Sequence, residues 1–410
     1  MVDHSWSWLC PGCIPKITRT CLIKSSRSAV GNPPDQSIDQ LLYLDIPFPN
    51  PRRSEMGIFR KLAGVCVAAA LATAGLAAPA QAAVPDGHGF VLWNGAATVP
   101  GSTWPAATIV TPGGSGLYRI IFPGQAARGG VVHVTAVSGG PVWCQALRWG
   151  PSGADEVVYV RCYTVGGAPV DTPFSAVFAS SSPPDGLAGR YGYVHSNPAG
   201  GIISQYNSSL LANSVTPLGP PGQYHVRLPG LGTFGPVDGS VQVTAADPNI
   251  GAHCEVAKWA SNPGGQDVIV LCFDGVGTPF NTWFTLSYQY ERSLFGSVAP
   301  PRFFGYLWNM PPPPTPNVGP PSTNFNSQLG PGTNTATASG LGLTLVSFRA
   351  LAQRPDNVQV TAFGQAGEFC NLQAGWGYSG TTVLVRNVAC YTPAGARVGS
   401  GSFTSYNSEF

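Results

Sequence analysis

Charge is what this chain has least of. Acidic and basic residues together make up 10% of 410 positions. A nucleic-acid binder needs a basic face to neutralise phosphates, and so sparse a charge does not supply one. Downstream of residue 82 no stretch shows a convincing helical period. Nor is there a Gly-x-Ser-x-Gly elbow, a His-x-His or His-Glu-x-x-His pair, a calcium loop or a phosphate-cradling glycine loop. Each absence removes a common route to hydrolysis, metal chemistry or nucleotide binding. Asp155-Glu156 is the only adjacent carboxylate pair beyond the leader, and it reads as the polarity of a hairpin; a glycosidase pair would be assembled from distant positions.

What is abundant is glycine (52) and proline (40), set in a chain that is 43% apolar with regular Val/Thr/Tyr alternation. Disordered chains lack that apolar content, so the expected class is turn-rich β.

The segment 56–82 reads as a signal peptide. Arg60 and Lys61 open it, Leu62 to Ala78 is apolar and Ala-rich, and Ala80-Gln81-Ala82 is a small-x-small cleavage pattern. The apolar run is short for a membrane span of about 20 residues. Residues 1–55 precede this signal and read as an extension from a misassigned start, with Met56 the true beginning. Of the 21 Lys+Arg, eight lie in 1–82, leaving 13; of the 19 Asp+Glu, five lie there, leaving 14. The remainder carries a net charge of −1, not +2, and implies no electrostatic partner.

Three successive segments share landmarks in one order. The first has Gly89-Phe90-Val91, Tyr118 to Gly124, Val132-His133-Val134-Thr135-Ala136, Cys144, Trp149 and Val158 to Tyr163. The second has Gly192-Tyr193-Val194, Tyr224 to Gly230, Val241-Gln242-Val243-Thr244-Ala245, Cys254, Trp259 and Val268 to Phe273. The third has Gly305-Tyr306-Leu307, Leu343 to Phe348 without the Pro-Gly, Val358-Gln359-Val360-Thr361-Ala362, Cys370, Trp376, Val383 to Val385 and Cys390-Tyr391. Each closes on a short strand ending near Phe174, Phe284 or Phe403. The periods, 103 and 113 residues from Phe90 to Tyr193 to Tyr306, are too long for a solenoid unit and suit a small domain. The expected modules are 84–180, 187–293 and 299–410. The Pro311 to Pro316 run falls inside the third as a stiff surface loop.

Valine at every second position predicts pleated strands with one buried face, separated by Gly/Pro clusters at the spacing of an antiparallel sandwich. Six or seven strands are expected per module. On that alternation His133 and His225 are solvent-side.

Two cysteines fall in each module. The midpoints of Cys144/Cys162, Cys254/Cys272 and Cys370/Cys390 are Gly153, Pro263 and Gly380, all in turn sequences. The third pair is two residues further apart, with one residue added to each arm, which keeps the cysteines opposed. Disulfides across three hairpins follow: Cys144–Cys162, Cys254–Cys272 and Cys370–Cys390. No histidine recurs beside them, so a metal role is not supported.

Trp149, Trp259 and Trp376 recur at one landmark and admit two readings. They are ligand-binding aromatics that stack on sugar rings, or large side chains capping the core beside each turn. Strict alternation puts Trp149 on the face opposite Cys144 unless a bulge intervenes.

This set of motifs resembles the tandem modules of secreted proteins of unknown function from high-GC Gram-positive bacteria. The resemblance covers nearly all of 84–410 and implies export and a repeated β module; it brings no catalytic residues. The expected fold is all-β, three tandem antiparallel sandwich-like modules, or alternatively one pseudo-threefold body with a sheet from each. The expected role is a secreted, noncatalytic binding or cell-surface protein without cofactor, presenting the loops Asn94–Gly116, Asn197–Gly222 and Asn309–Gly340 to an extracellular polysaccharide or protein, cell-wall glycan first. It has no nucleic-acid partner and keeps no membrane span after cleavage. The competing readings are a secreted hydrolase with an unrecognised site and an inhibitor- or toxin-like module.

Overall fold

Alternating Val, Ile and Tyr between glycine-rich turns builds strands throughout, and the described residues contain no α-helix. The computed structural model describes residues 86–410 except 112, 184–185, 234, 236–237, 297–301 and 311–322. The extension 1–55, the signal 56–82 and the proline run at 311–316 lie outside the described residues.

The first segment holds β1 (Gly87–Trp93), β2 (Thr98–Trp104), β3 (Thr108–Val110), β4 (Leu117–Phe122), β5 (Val131–Ala136), β6 (Val142–Ser152), β7 (Asp155–Thr164), β8 (Ala168–Pro169) and β9 (Phe174–Ser180). The second holds β10 (Arg190–Ser196), β11 (Ile202–Asn207), β12 (Ser214–Pro217), β13 (Gln223–Pro229), β14 (Ser240–Ala245), β15 (Ala252–Asn262), β16 (Gly265–Asp274) and β17 (Phe284–Tyr290). The third holds β18 (Phe304–Asn309), β19 (Asn324–Asn326), β20 (Thr335–Gly340), β21 (Leu343–Phe348), β22 (Asp356–Phe363), β23 (Phe369–Leu372), β24 (Gly377–Ser379), β25 (Thr382–Tyr391) and β26 (Gly401–Ser408).

Strand order is the same in each segment. An inner sheet runs β2-β1-β9-β5 in the first, β11-β10-β17-β14 in the second and β19-β18-β26-β22 in the third. An outer sheet runs β3-β4-β7-β6, β12-β13-β16-β15 and β20-β21-β25-β23, with β8 beside β7 and β24 beside β25; a parallel pairing of β15 with β22 joins the second segment's outer sheet to the third's inner sheet in one eight-stranded sheet. The two sheets of a segment enclose one apolar core, as Val132, Val134 and Phe178 of the inner sheet meet Ile120, Val158 and Cys162 of the outer in the first. The all-β expectation holds. The strands are more numerous than expected, because each loop after the first strand contributes two edge strands, one to each sheet.

Inner strands depart from the expected single buried face. All six residues of β5 and β14 are buried, as are all seven of β9 and all eight of β26. One face meets the segment's own outer sheet, the other a neighbouring segment. His133, expected in solvent, is therefore buried; its Nδ1 lies 3.2 Å from Thr244 Oγ1 and its Nε2 2.8 Å from Ser287 Oγ. His225 stays half-exposed on the outer sheet as expected, beside Asp267. Two closing strands begin, not end, at their phenylalanine, β9 at Phe174 and β17 at Phe284, while β26 begins at Gly401 with Phe403 its third residue. Ala136 and Ala245 face Phe174 and Phe284, whereas Ala362 faces Ser402. Phe403 is thus one place off that register and packs into the second segment's core.

Contacts between segments run in cyclic order. Ala246 and Trp283 of the second segment pack on the first core, Trp308 and Phe403 of the third on the second, and Leu92 and Val137 of the first on the third. His88 Nε2 meets Glu409 Oε2 at 2.6 Å, joining the first described strand to the end of the chain.

Candidate functional site

Each cysteine pair occupies directly opposed strand positions, Cys144 with Cys162, Cys254 with Cys272 and Cys370 with Cys390, and all three pairs are bonded. The hairpins turn through Gly153, Pro263 and Gly380, as the midpoints require. Between cysteine and tryptophan the ladder slips, from Ala146 to Arg148 in the first segment and from Val256 to Lys258 in the second. This bulge adds one unpaired residue and reverses the alternation beyond it. Trp149 therefore faces Val158, on the same side as Cys144, not the opposite one.

That reversal points the tryptophans inward. Trp149 Nε1 donates to the Gly129 carbonyl at 2.8 Å, and Trp259 Nε1 to the Asp238 carbonyl at 2.9 Å. Trp376 Nε1 donates to Asp356 Oδ1 at 3.0 Å. Each also receives a residue from the first strand of the next segment. His195 packs on Trp149 at 4.3 Å between ring centroids, Trp308 on Trp259 at 4.5 Å, and Leu92 shares a core with Trp376. Trp259 and Trp376 are buried and Trp149 half-buried. Their place is between segments, which leaves little ring surface for a sugar.

Two further sets escaped the sequence. Thr135 Oγ1 accepts the Val360 amide at 2.9 Å, Thr361 Oγ1 accepts that of Val243 at 3.0 Å, and Thr244 Oγ1 accepts that of Val134 at 3.3 Å. The residue after each first cysteine does the same work further along. Gln145 accepts Ala252 N at 2.7 Å, Glu255 accepts Gly367 N at 2.8 Å, and Asn371 donates to the carbonyls of Gly140 and Val142. The available signal was a polar residue recurring in an otherwise apolar strand. Preceding the same cysteines, Trp143, His253 and Phe369 form a triangle of rings with centroids 5.1–5.4 Å apart. With the threonine strands they line a cavity of about 40 Å³, room for a few water molecules.

Burial sets the protonation of these groups. It pushes His253 down to about 4, so the ring is neutral and Nε2–H donates to the Gly367 carbonyl at 3.0 Å. His133 is driven down to about 3 by the same cause. Glu255 is raised to about 9, first by burial and then by Glu368 beside it. Glu156 is raised to about 8 by burial and accepts the Ala127 amide at 3.2 Å. It is a core residue, not hairpin polarity; of the pair only Asp155 faces outward, accepting Gly124 N at 3.0 Å. Asp356 is raised by burial, against the opposing hydrogen bonds of Tyr378, Trp376, Ser102 and Tyr406.

These side chains are committed to holding strands. Among the described residues no group of three or more His, Cys, Asp or Glu could hold a metal ion, and no helix is long and apolar enough to cross a membrane. No family model, curated protein or solved structure matches this chain.

Proposed function

We propose that the chain is an exported, noncatalytic binding or cell-surface protein, related to the tandem-module secreted proteins it resembles, in which three copies of one module are joined about a pseudo-threefold axis. One observation carries this reading. The residues recurring in all three segments bond or pack across segment boundaries: the threonines, the tryptophans, and the residues flanking each first cysteine. Recurrent residues then serve the scaffold, and ligand contacts fall to the exposed outer sheets and the crossover segments, which differ between copies. Three disulfides suit an oxidising compartment, consistent with the leader at 56–82. Cell-wall glycan is the first ligand to test, since several weak sites on one rigid body add avidity toward a repeating polymer. Pull-down with insoluble peptidoglycan and a panel of polysaccharides is expected to retain the protein. Retention by none of them removes the glycan reading.

A further inference from the structure

Resting on that reading, we infer that the outer sheet of the first segment carries a subsite for an acidic, carboxylate-bearing polysaccharide, built from Arg119, Arg148 and Tyr159. Register places these residues in one row across three strands, Arg119 of β4 opposite Tyr159 of β7, and Tyr159 opposite Arg148 of β6. Strands lie about 4.8 Å apart, so the two arginine backbones flank the tyrosine across roughly 10 Å. Both arginines, Tyr159 and Trp149 line a cleft of about 280 Å³ beside the hairpin residues Gly150 and Pro151. The Arg148 guanidinium sits 4.5 Å from the centre of the Tyr159 ring, which fixes its position without neutralising it.

The second segment shows what is missing from the first. There His225, Lys258 and Ile269 stand where Arg119, Arg148 and Tyr159 do, and Asp267 stands at the place of Val157. Asp267 binds His225 at 2.9 Å and Arg227 at 2.5 Å. The sheet surface of the second segment thus supplies its own anion. In the first, valine replaces that carboxylate, and neither Arg119 nor Arg148 has an ion-pair partner among the described residues. The two acids of the β6–β7 hairpin are engaged elsewhere: Glu156 points into the core and Asp155 caps the Gly124 amide. Two guanidinium groups flanking an aromatic ring each donate bidentately to one carboxylate, with a sugar ring over the apolar floor between them. The third segment has Leu345 in the row position of Arg119, so the subsite is confined to one copy.

The test is binding of the full chain to polygalacturonate oligomers and to neutral dextran of matched length, by calorimetry at low and physiological salt. The expected result is binding to polygalacturonate alone, weakened by salt, lost at least tenfold in Arg119→Gln/Arg148→Gln and unchanged in Arg227→Gln. Arg119→Lys/Arg148→Lys, which keeps the charge but not the fork, is expected to fall between. All three variants face solvent and are checked for an unaltered unfolding midpoint. Equal binding of wild type and the Gln variant, or equal binding of dextran, overturns the subsite while leaving glycan binding in place. Retention of other glycans without polygalacturonate also overturns the subsite alone. Failure to bind any glycan ends both.

Discussion

Thr361 illustrates how little chemistry joins the segments and how exposed that chemistry is to mutation. Its hydroxyl accepts the Val243 amide and donates toward Gln242 and the Val243 carbonyl. Valine fills the same space but leaves a buried N–H without a partner. Thr361→Val is therefore expected to cost about 1–3 kcal/mol, read as a lower urea midpoint with unchanged slope, whereas Thr361→Ser stays close to wild type. A valine variant as stable as the parent would show the bond to be incidental. Titration offers a second test at this scale. Glu255 has its folded pKa raised to about 9, so its contribution is intact below the ordinary carboxylate range and is lost as pH rises toward 9. His253, lowered to about 4, contributes above the ordinary imidazole range, and that stability is lost as pH falls through 4. Glu255→Gln is expected to shrink the alkaline loss to the part due to Glu156, raised to about 8, and to leave the acid loss, measured as unfolding midpoint against pH. A parallel decline in both proteins between pH 5 and 9 would contradict it.

At the scale of the element, the long hairpin organises each segment. The disulfide closes a loop of 18 residues in the second segment, and opening it with Cys254→Ser/Cys272→Ser is expected to lower stability by roughly 3 kcal/mol with the sheet content retained by circular dichroism. The bulge matters as much. Leu147 has no partner across the ladder, and deleting it would leave four strictly alternating steps from Cys144 to the tryptophan, with Trp149 still opposite Val158 and facing the core. Its emission is then expected to stay unshifted, and a red shift would mean that the bulge itself is needed to hold the ring in the core. This is also where reading from sequence stops. Valine alternation and paired cysteines mark strands and hairpins because period and opposition are local properties. The bulge left no such mark: five residues from Cys144 to Trp149 look like plain alternation, and one slipped residue reverses the conclusion. His133 misled for a related reason, since a polar residue on a strand signals water unless another segment brings Thr244 and Ser287 to it.

Across the described residues the three segments contact one another in cyclic order. Leu92, His195 and Trp308 hold equivalent places on β1, β10 and β18 and reach the third, first and second segments in turn. Asp238, bonded to Tyr288 and Trp259, and Asp356, bonded to Tyr406 and Trp376, tie inner strands to their hairpins in the second and third segments. In the first, glycines stand near that acid position and Phe178 replaces the tyrosine, so acid and phenol are lost together. The sequence left this arrangement as one of two alternatives, because a threefold set of landmarks is equally compatible with beads on a string. What distinguishes the two is cooperativity. Segments that share cores and satisfy one another's buried amides must unfold together. Differential scanning calorimetry of the oxidised protein tests this most directly: one transition, with a van't Hoff to calorimetric enthalpy ratio of about 1, is the predicted result. Separate transitions, or a ratio near one third, would contradict it and leave three modules that merely touch.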